Sequence, residues 1–102
     1  MAEPIDEVLA DLMSDAGDVT VAGNGAEYAR AGRVFASRSG SNVVELLLGE
    51  EITEAAQRTP ETGPSSRGVD WVRFSPSEWD DHALDRLEAW FRVAWRLAGG
   101  RP

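Results

Sequence analysis

Asp80-Asp81-His82 is the one place in this 102-residue chain where carboxylates adjoin an imidazole. Such a trio could hold a metal or relay a proton. Consecutive residues at a helix start point in different directions, so they do not converge on one ion. One of the two aspartates has a simpler task as helix N-cap, and His82, the sole histidine, is expected at the surface. Glu50, Glu51 and Glu54 could form an acid–base pair of the glycosidase kind. Their place in the first turn of a short helix explains them without catalysis. Gly23-Asn24-Gly25 begins like a dinucleotide fingerprint, but Tyr28 stands where the third glycine belongs and no long helix follows. It reads as a hairpin turn. The serines around Ser39 do not form Gly-x-Ser-x-Gly and lack a paired base. No catalytic residue, metal site or cofactor is therefore expected.

Binding groups are easier to name. Trp79 lies in a polar Ser-Pro-Ser-Glu-Trp-Asp-Asp stretch, where it serves as a hydrophobic staple or as an exposed anchor for a partner. Arg30, Arg33 and Arg38 fall in a segment, residues 28–44, that has no carboxylate. Residues 1–27 carry seven carboxylates and no arginine. Either these acidic and basic segments face one another across a solvated surface, or the arginines form a local anion site on the central hairpins. Trp79, Arg30, Arg33 and Arg38 are the expected ligand or partner contacts.

Composition narrows the field. Net charge is −8, all ten basic residues are arginine, and cysteine is absent. A disulfide, a thiolate metal site and a lysine Schiff base are excluded. The net field repels phosphate polymers, which disfavours non-specific nucleic-acid binding. No apolar run approaches the roughly 20 residues that cross a bilayer. Met1-Ala2-Glu3-Pro4 shows no basic segment leading into an apolar one, so a cytoplasmic location is expected.

The elements that position these residues follow from periodicity. Ile5, Val8, Leu9, Leu12 and Met13 make one apolar face of a helix over 4–15, with Pro4, Asp6 and Glu7 suited to its first turn and Gly17 to its end. Strands are expected at 18–22, 26–30, 33–37 and 43–48, separated by turns at Gly23-Asn24-Gly25, Ala31-Gly32 and Ser39-Gly40-Ser41-Asn42. A second helix spans 49–59, with Ile52, Ala55 and Ala56 as its apolar face. Residues 60–68, rich in Pro, Gly, Ser and Thr, read as a flexible surface loop. Val69 to Phe74 is a strand. All four tryptophans lie between Trp71 and Trp95. The final helix, about 81–98, gathers Ala83, Leu84, Leu87, Trp90, Phe91, Ala94, Trp95, Leu97 and Ala98 on an arc of roughly 160°, capped by Asp80 or Asp81. Residues 99–102 are expected to fray.

Several of these segments together resemble known domains. Glu27-Tyr28, Gly32-Arg33-Val34-Phe35-Ala36, Val43-Val44-Glu45-Leu46, Asp70-Trp71-Val72-Arg73-Phe74 and Ala94-Trp95-Arg96-Leu97 follow one another as in the small bacterial MmcQ/YjbR-like family. The order is also similar to that of the actinobacterial "luciferase domain" proteins. The resemblance covers about three-quarters of the chain and rests mostly on core positions. It implies a double-wing fold in which hairpin turns near Asn24 and Ser39-Gly40-Ser41 act as wings and Arg30, Arg33 and Arg38 contact phosphates. A basic stripe is what such binding needs, and this acidic, lysine-free chain departs from it.

The expectation is a single α+β domain over 1–102. It has an antiparallel sheet of about five strands, with the N-terminal helix, the short middle helix and the long C-terminal helix packed on one face. The expected function is non-catalytic binding, with a protein partner or a second copy of the chain as the contact. The alternatives are nucleic-acid binding through the hairpins, and a small-ligand or enzyme pocket between sheet and helices.

Overall fold

The computed structural model describes residues 4–23, 26–39 and 42–99. The turn residues Asn24-Gly25 and Gly40-Ser41, and the tail at 100–102, lie outside the described residues. So do the tips of both expected wings.

The described residues form three helices and six strands: α1 (Pro4–Ala16), β1 (Thr20–Ala22), β2 (Glu27–Arg30), β3 (Arg33–Ser39), β4 (Val43–Leu47), α2 (Glu50–Ala56), β5 (Thr62–Ser65), β6 (Gly68–Phe74) and α3 (Asp81–Ala98). One antiparallel sheet runs in the order β1-β2-β3-β4-β6-β5. The fold class is α+β, with one strand more than the sequence indicates. The extra strand is β5, in the stretch that reads as loop. Gly63 and Pro64 hide it, yet proline is tolerated at a sheet edge, where its missing N–H costs no ladder bond, and β5 is an edge strand.

Periodicity fixes α1 and α3. Ile5, Leu9 and Leu12 bury one stripe of α1, with Val8 and Met13 half-buried beside it. Gly17 ends the helix in the left-handed region (φ 71°), its N–H donating to the Met13 carbonyl at 3.0 Å. On α3, Ala83, Leu87, Phe91, Ala94 and Ala98 are buried, and the Asp80 side chain caps the start by accepting from the Ala83 N–H at 2.9 Å.

The rows of the sheet define two faces. Tyr28, Ala36, Leu46 and Val72 are paired across four strands, and Tyr28 meets Phe91 edge-on at 6.0 Å between ring centroids. That face belongs to α3, which packs on β2, β3 and β4 and against α1. A bulge between Tyr28 and Ala29 leaves Phe35 as an extra residue on β3. Phe35 also reaches Phe91 edge-on, at 5.1 Å. The next row, Glu27, Ser37, Glu45 and Arg73, points the other way because strand side chains alternate. Leu47 and Trp71 pair on that second face.

The middle helix differs from expectation in length and in rotation. α2 covers only Glu50–Ala56, and its buried positions are Thr53 and Ala56, one turn apart. Ile52 is 43% exposed and Ala55 is exposed as well. Packing along β6 sets this rotation. The chain then turns, and the Thr62 hydroxyl reaches back to the Thr59 carbonyl at 2.7 Å and the Ala56 carbonyl at 3.0 Å, fastening the helix end to β5.

Candidate functional site

The four residues expected to touch a ligand all have intramolecular contacts. Arg30 and Arg33 are register partners on β2 and β3. Both guanidinium groups reach the last turn of α3: Arg30 Nη1 donates to the Trp95 carbonyl at 3.0 Å, and Arg33 Nη1 to the Leu97 carbonyl at 3.4 Å. Cations are favoured at that end of a helix. Arg30 also stacks 3.6 Å from the Trp95 ring centroid, a cation–π contact, and pairs with Asp18 at 3.3 Å. Gly99 passes so close that a Cβ there would lie 2.6 Å from Arg30 Nη1. Arg38 points to the other end of the sheet and pairs with Asp6 in the first turn of α1. The acidic first segment thus faces the basic ones, with Asp15 to Arg92 at 3.0 Å as a further case. Trp79 is half-buried, its ring edge-on to Phe74 at 5.7 Å, and packs against the core.

The remaining candidates are dispersed. His82 is exposed on the first turn of α3, and Asp80 is engaged in the cap. Among the described residues no group of three or more His, Cys, Asp and Glu could hold a metal ion, and no helix is long and apolar enough to cross a membrane. Burial raises the Tyr28 phenol above its ordinary value; nearby Arg38 opposes that shift and Asp6 adds to it.

The sequence reading passes over the β5–β6 hairpin, whose two sides differ. Its two-residue turn, Ser66-Arg67, swings Arg67 over the face of the sheet away from α3. Arg67 Nη2 donates to Glu27 Oε2 at 2.8 Å and to Ser37 Oγ at 3.1 Å. Its Nε lies 3.7 Å from Glu45 Oε1, and its guanidinium sits 5.0 Å from the Trp71 ring centroid. Ser65 Oγ donates to Glu45 and accepts from the Arg67 backbone N–H. The Glu45 side chain is only 14% exposed, so this cluster is a closed clasp joining the hairpin tip to β2, β3 and β4.

The other side of the hairpin faces α2 across an open cleft of about 600 Å³. Glu50, Thr53, Glu54 and Gln57 line it from the helix, and Pro64, Ser65, Ser66, Gly68 and Val69 from the hairpin. Its volume lies in the range of small-ligand sites. Val69 is 74% exposed, the most open large apolar side chain among those described. Thr53 is 1% exposed, and its Oγ1 has no hydrogen-bond partner. A buried hydroxyl without a partner is costly, and protein structures rarely leave one unmet. Gly68 shapes the wall: its φ is 149°, and a Cβ there would meet Asp70 Oδ1 at 3.0 Å.

Two signals in the sequence could have pointed here. Thr53 lies one turn from Ala56, on a different helix face from Ile52. Ser66-Arg67 is the two-residue spacing of a hairpin turn. No family model matches the chain, and neither a curated protein nor a solved structure gives a significant match.

Proposed function

We propose that this chain is a binding domain without catalytic activity, and that its contact surface is the cleft between α2 and the β5–β6 hairpin. One observation carries the reading: the cleft, of about 600 Å³, sets the exposed side chain of Val69 against a helix wall carrying the polar groups of Glu50, Glu54 and Gln57 within a single concavity. Apolar area with a few polar groups placed to fix orientation is the usual make-up of a recognition site. The residues with the most reactive chemistry give less support to catalysis, since Asp80 is engaged in a helix cap and His82 is exposed. The nucleic-acid reading suggested by the double-wing resemblance also draws less support, because Arg30, Arg33 and Arg38 already have intramolecular acceptors.

A thermal-shift screen of a broad metabolite and fragment library tests the proposal. A cleft ligand is expected to raise Tm in proportion to the logarithm of its concentration once saturating. The shift is expected to vanish in Val69→Asp, an exposed position where folding should be unaffected. Hits whose stabilisation survives Val69→Asp would place binding elsewhere and defeat the assignment.

A further inference from the structure

We propose that residues 65–69, the tip of the β5–β6 hairpin, form an ionic latch. The tip is a hinged flap whose closed position is held by Arg67 and whose open position lies toward the cleft, with ionic strength setting the balance. The hinge shows in the strand register. Pro64 pairs with Val72, yet Ser65 pairs with Gly68, so the β5 ladder passes over Val69, Asp70 and Trp71. On one side of that break the hairpin is fastened to the rest of the sheet. The Asp70 carbonyl accepts from the Leu48 and Gly49 N–H groups at 3.0 and 3.1 Å, and Trp71 pairs with Leu47 on β4. On the other side, Gly68 has a φ of 149°, open to glycine and strained for other residues. An interrupted ladder beside a glycine is where a hairpin bends.

What holds the tip down is polar. Arg67 reaches Glu27, Ser37 and Glu45, and the Ser65 hydroxyl donates to Glu45. The large apolar residue of the tip, Val69, is mostly exposed and buries little. Behind the tip lies open space, the cleft lined by Ser65, Ser66, Gly68 and Val69. The flap therefore has a grip on one side and room on the other. Ion pairs as exposed as Arg67 with Glu27 are weak and are weakened further by salt. Glu45 keeps a neighbouring cation when Arg67 leaves. Arg73 on β6 is its register partner, and opposite charges directly across an antiparallel pair attract. Arg67 and Arg73 thus compete for one carboxylate, which gives the latch two resting positions. Because the tip is a wall of the cleft, the position of the latch sets the width of the cleft mouth.

The closed latch places the Arg67 guanidinium 5.0 Å from the Trp71 ring centroid, so that ring reports the state. The test is fluorine NMR of the intact chain labelled with fluorotryptophan, the Trp71 resonance being assigned through Trp71→Phe. Raising NaCl from about 0.01 M to about 1 M shortens the screening length from roughly 30 Å to roughly 3 Å. The Trp71 resonance is expected to move toward its position in Arg67→Gln, with the open population rising about fivefold. Arg67→Gln itself should show no salt dependence there. Arg73→Gln is expected to act in the opposite direction, because it removes the competitor: the resonance holds its closed position to higher salt. A Trp71 resonance indifferent to salt, or equally salt-dependent in Arg67→Gln, would overturn the latch. Wider opening in Arg73→Gln would overturn it too, by making Arg73 part of the clasp. If Arg67→Gln unfolds the chain, the clasp is a support of the whole fold and the latch fails as well. The latch and the ligand screen fail separately: a silent library leaves the latch standing, and a fixed tip leaves the cleft a binding site.

Discussion

On one face of the sheet, Phe91 of α3 sits between the rings of Tyr28 and Phe35, and Trp79 and Trp90 both meet Phe74 edge-on. On the other face, Arg67 holds together Glu27, Ser37 and Glu45 above Trp71. The first arrangement is apolar, so its stability grows with the area removed from water and is not weakened by ionic screening. The second is a set of directional, partly charged contacts whose net worth is small because desolvation offsets attraction. A face of the first kind anchors a domain. A hairpin fastened by the second kind can open without unfolding the rest, and this hairpin forms one wall of the cleft. The difference assigns anchoring to one half of the molecule and adaptability to the other.

The largest effect expected from breaking this contrast is at Phe91, which is fully buried. Phe91→Ala removes a ring that holds two others and leaves a cavity, at a cost of about 3–5 kcal/mol in global stability. Urea unfolding followed by tryptophan fluorescence should show the whole chain losing that stability in one transition. If only α3 responded while the sheet kept its midpoint, the two faces would not share one cooperative unit.

Arg67→Ala should act differently in kind as well as in size. It leaves Glu45, mostly buried, with Ser65 but without its cation, a loss of about 1–3 kcal/mol. Amide hydrogen exchange should quicken at Ser65 to Val69 and on the end of β4, while the amides of α3 keep their protection. Pairing it with Glu45→Gln in a double-mutant cycle isolates the coupling between the two groups. Uniform loss of protection across the chain would make the clasp part of the global core, and the contrast drawn above would fail.

The two halves also differed in how plainly the sequence announced them. α3 was legible from Ala83 to Ala98, because an apolar stripe at helical spacing has few other uses, and the Asp80 cap followed from residue type. The strand order β1 to β4 followed from the turns between alternating runs. β5 was hidden because glycine and proline signal a break locally, whereas pairing with β6 overrides them. The clasp was hidden for a different reason: Arg67 and Glu27 lie forty positions apart, and no local pattern encodes such a meeting. The expected contacts at Arg30, Arg33, Arg38 and Trp79 were visible as chemical types. That acidic and basic segments face one another was open to the sequence as well, but the particular partners, the ends of α3 and α1 and the Phe74 ring, were not.

The smallest effect, and the one with the opposite sign, concerns Thr53. Replacing a buried hydroxyl that lacks a partner by a methyl of nearly the same volume removes a desolvation penalty without opening a cavity. Thr53→Val should therefore raise stability by up to about 1 kcal/mol, in contrast to most buried substitutions, which destabilise. Valine is also a slightly poorer helix residue than the best formers, but it replaces another β-branched residue, so the helix itself changes little. Differential scanning calorimetry of the unliganded chain reads the sign directly as a shift in Tm. A gain in stability accompanied by loss of cleft binding would mean that the hydroxyl is retained at the expense of the fold, as a group held ready for a ligand. A loss of stability would mean that the hydroxyl already has a partner in solution, such as water or the Gly49 carbonyl one turn back, and that the cleft's polar wall serves the fold instead.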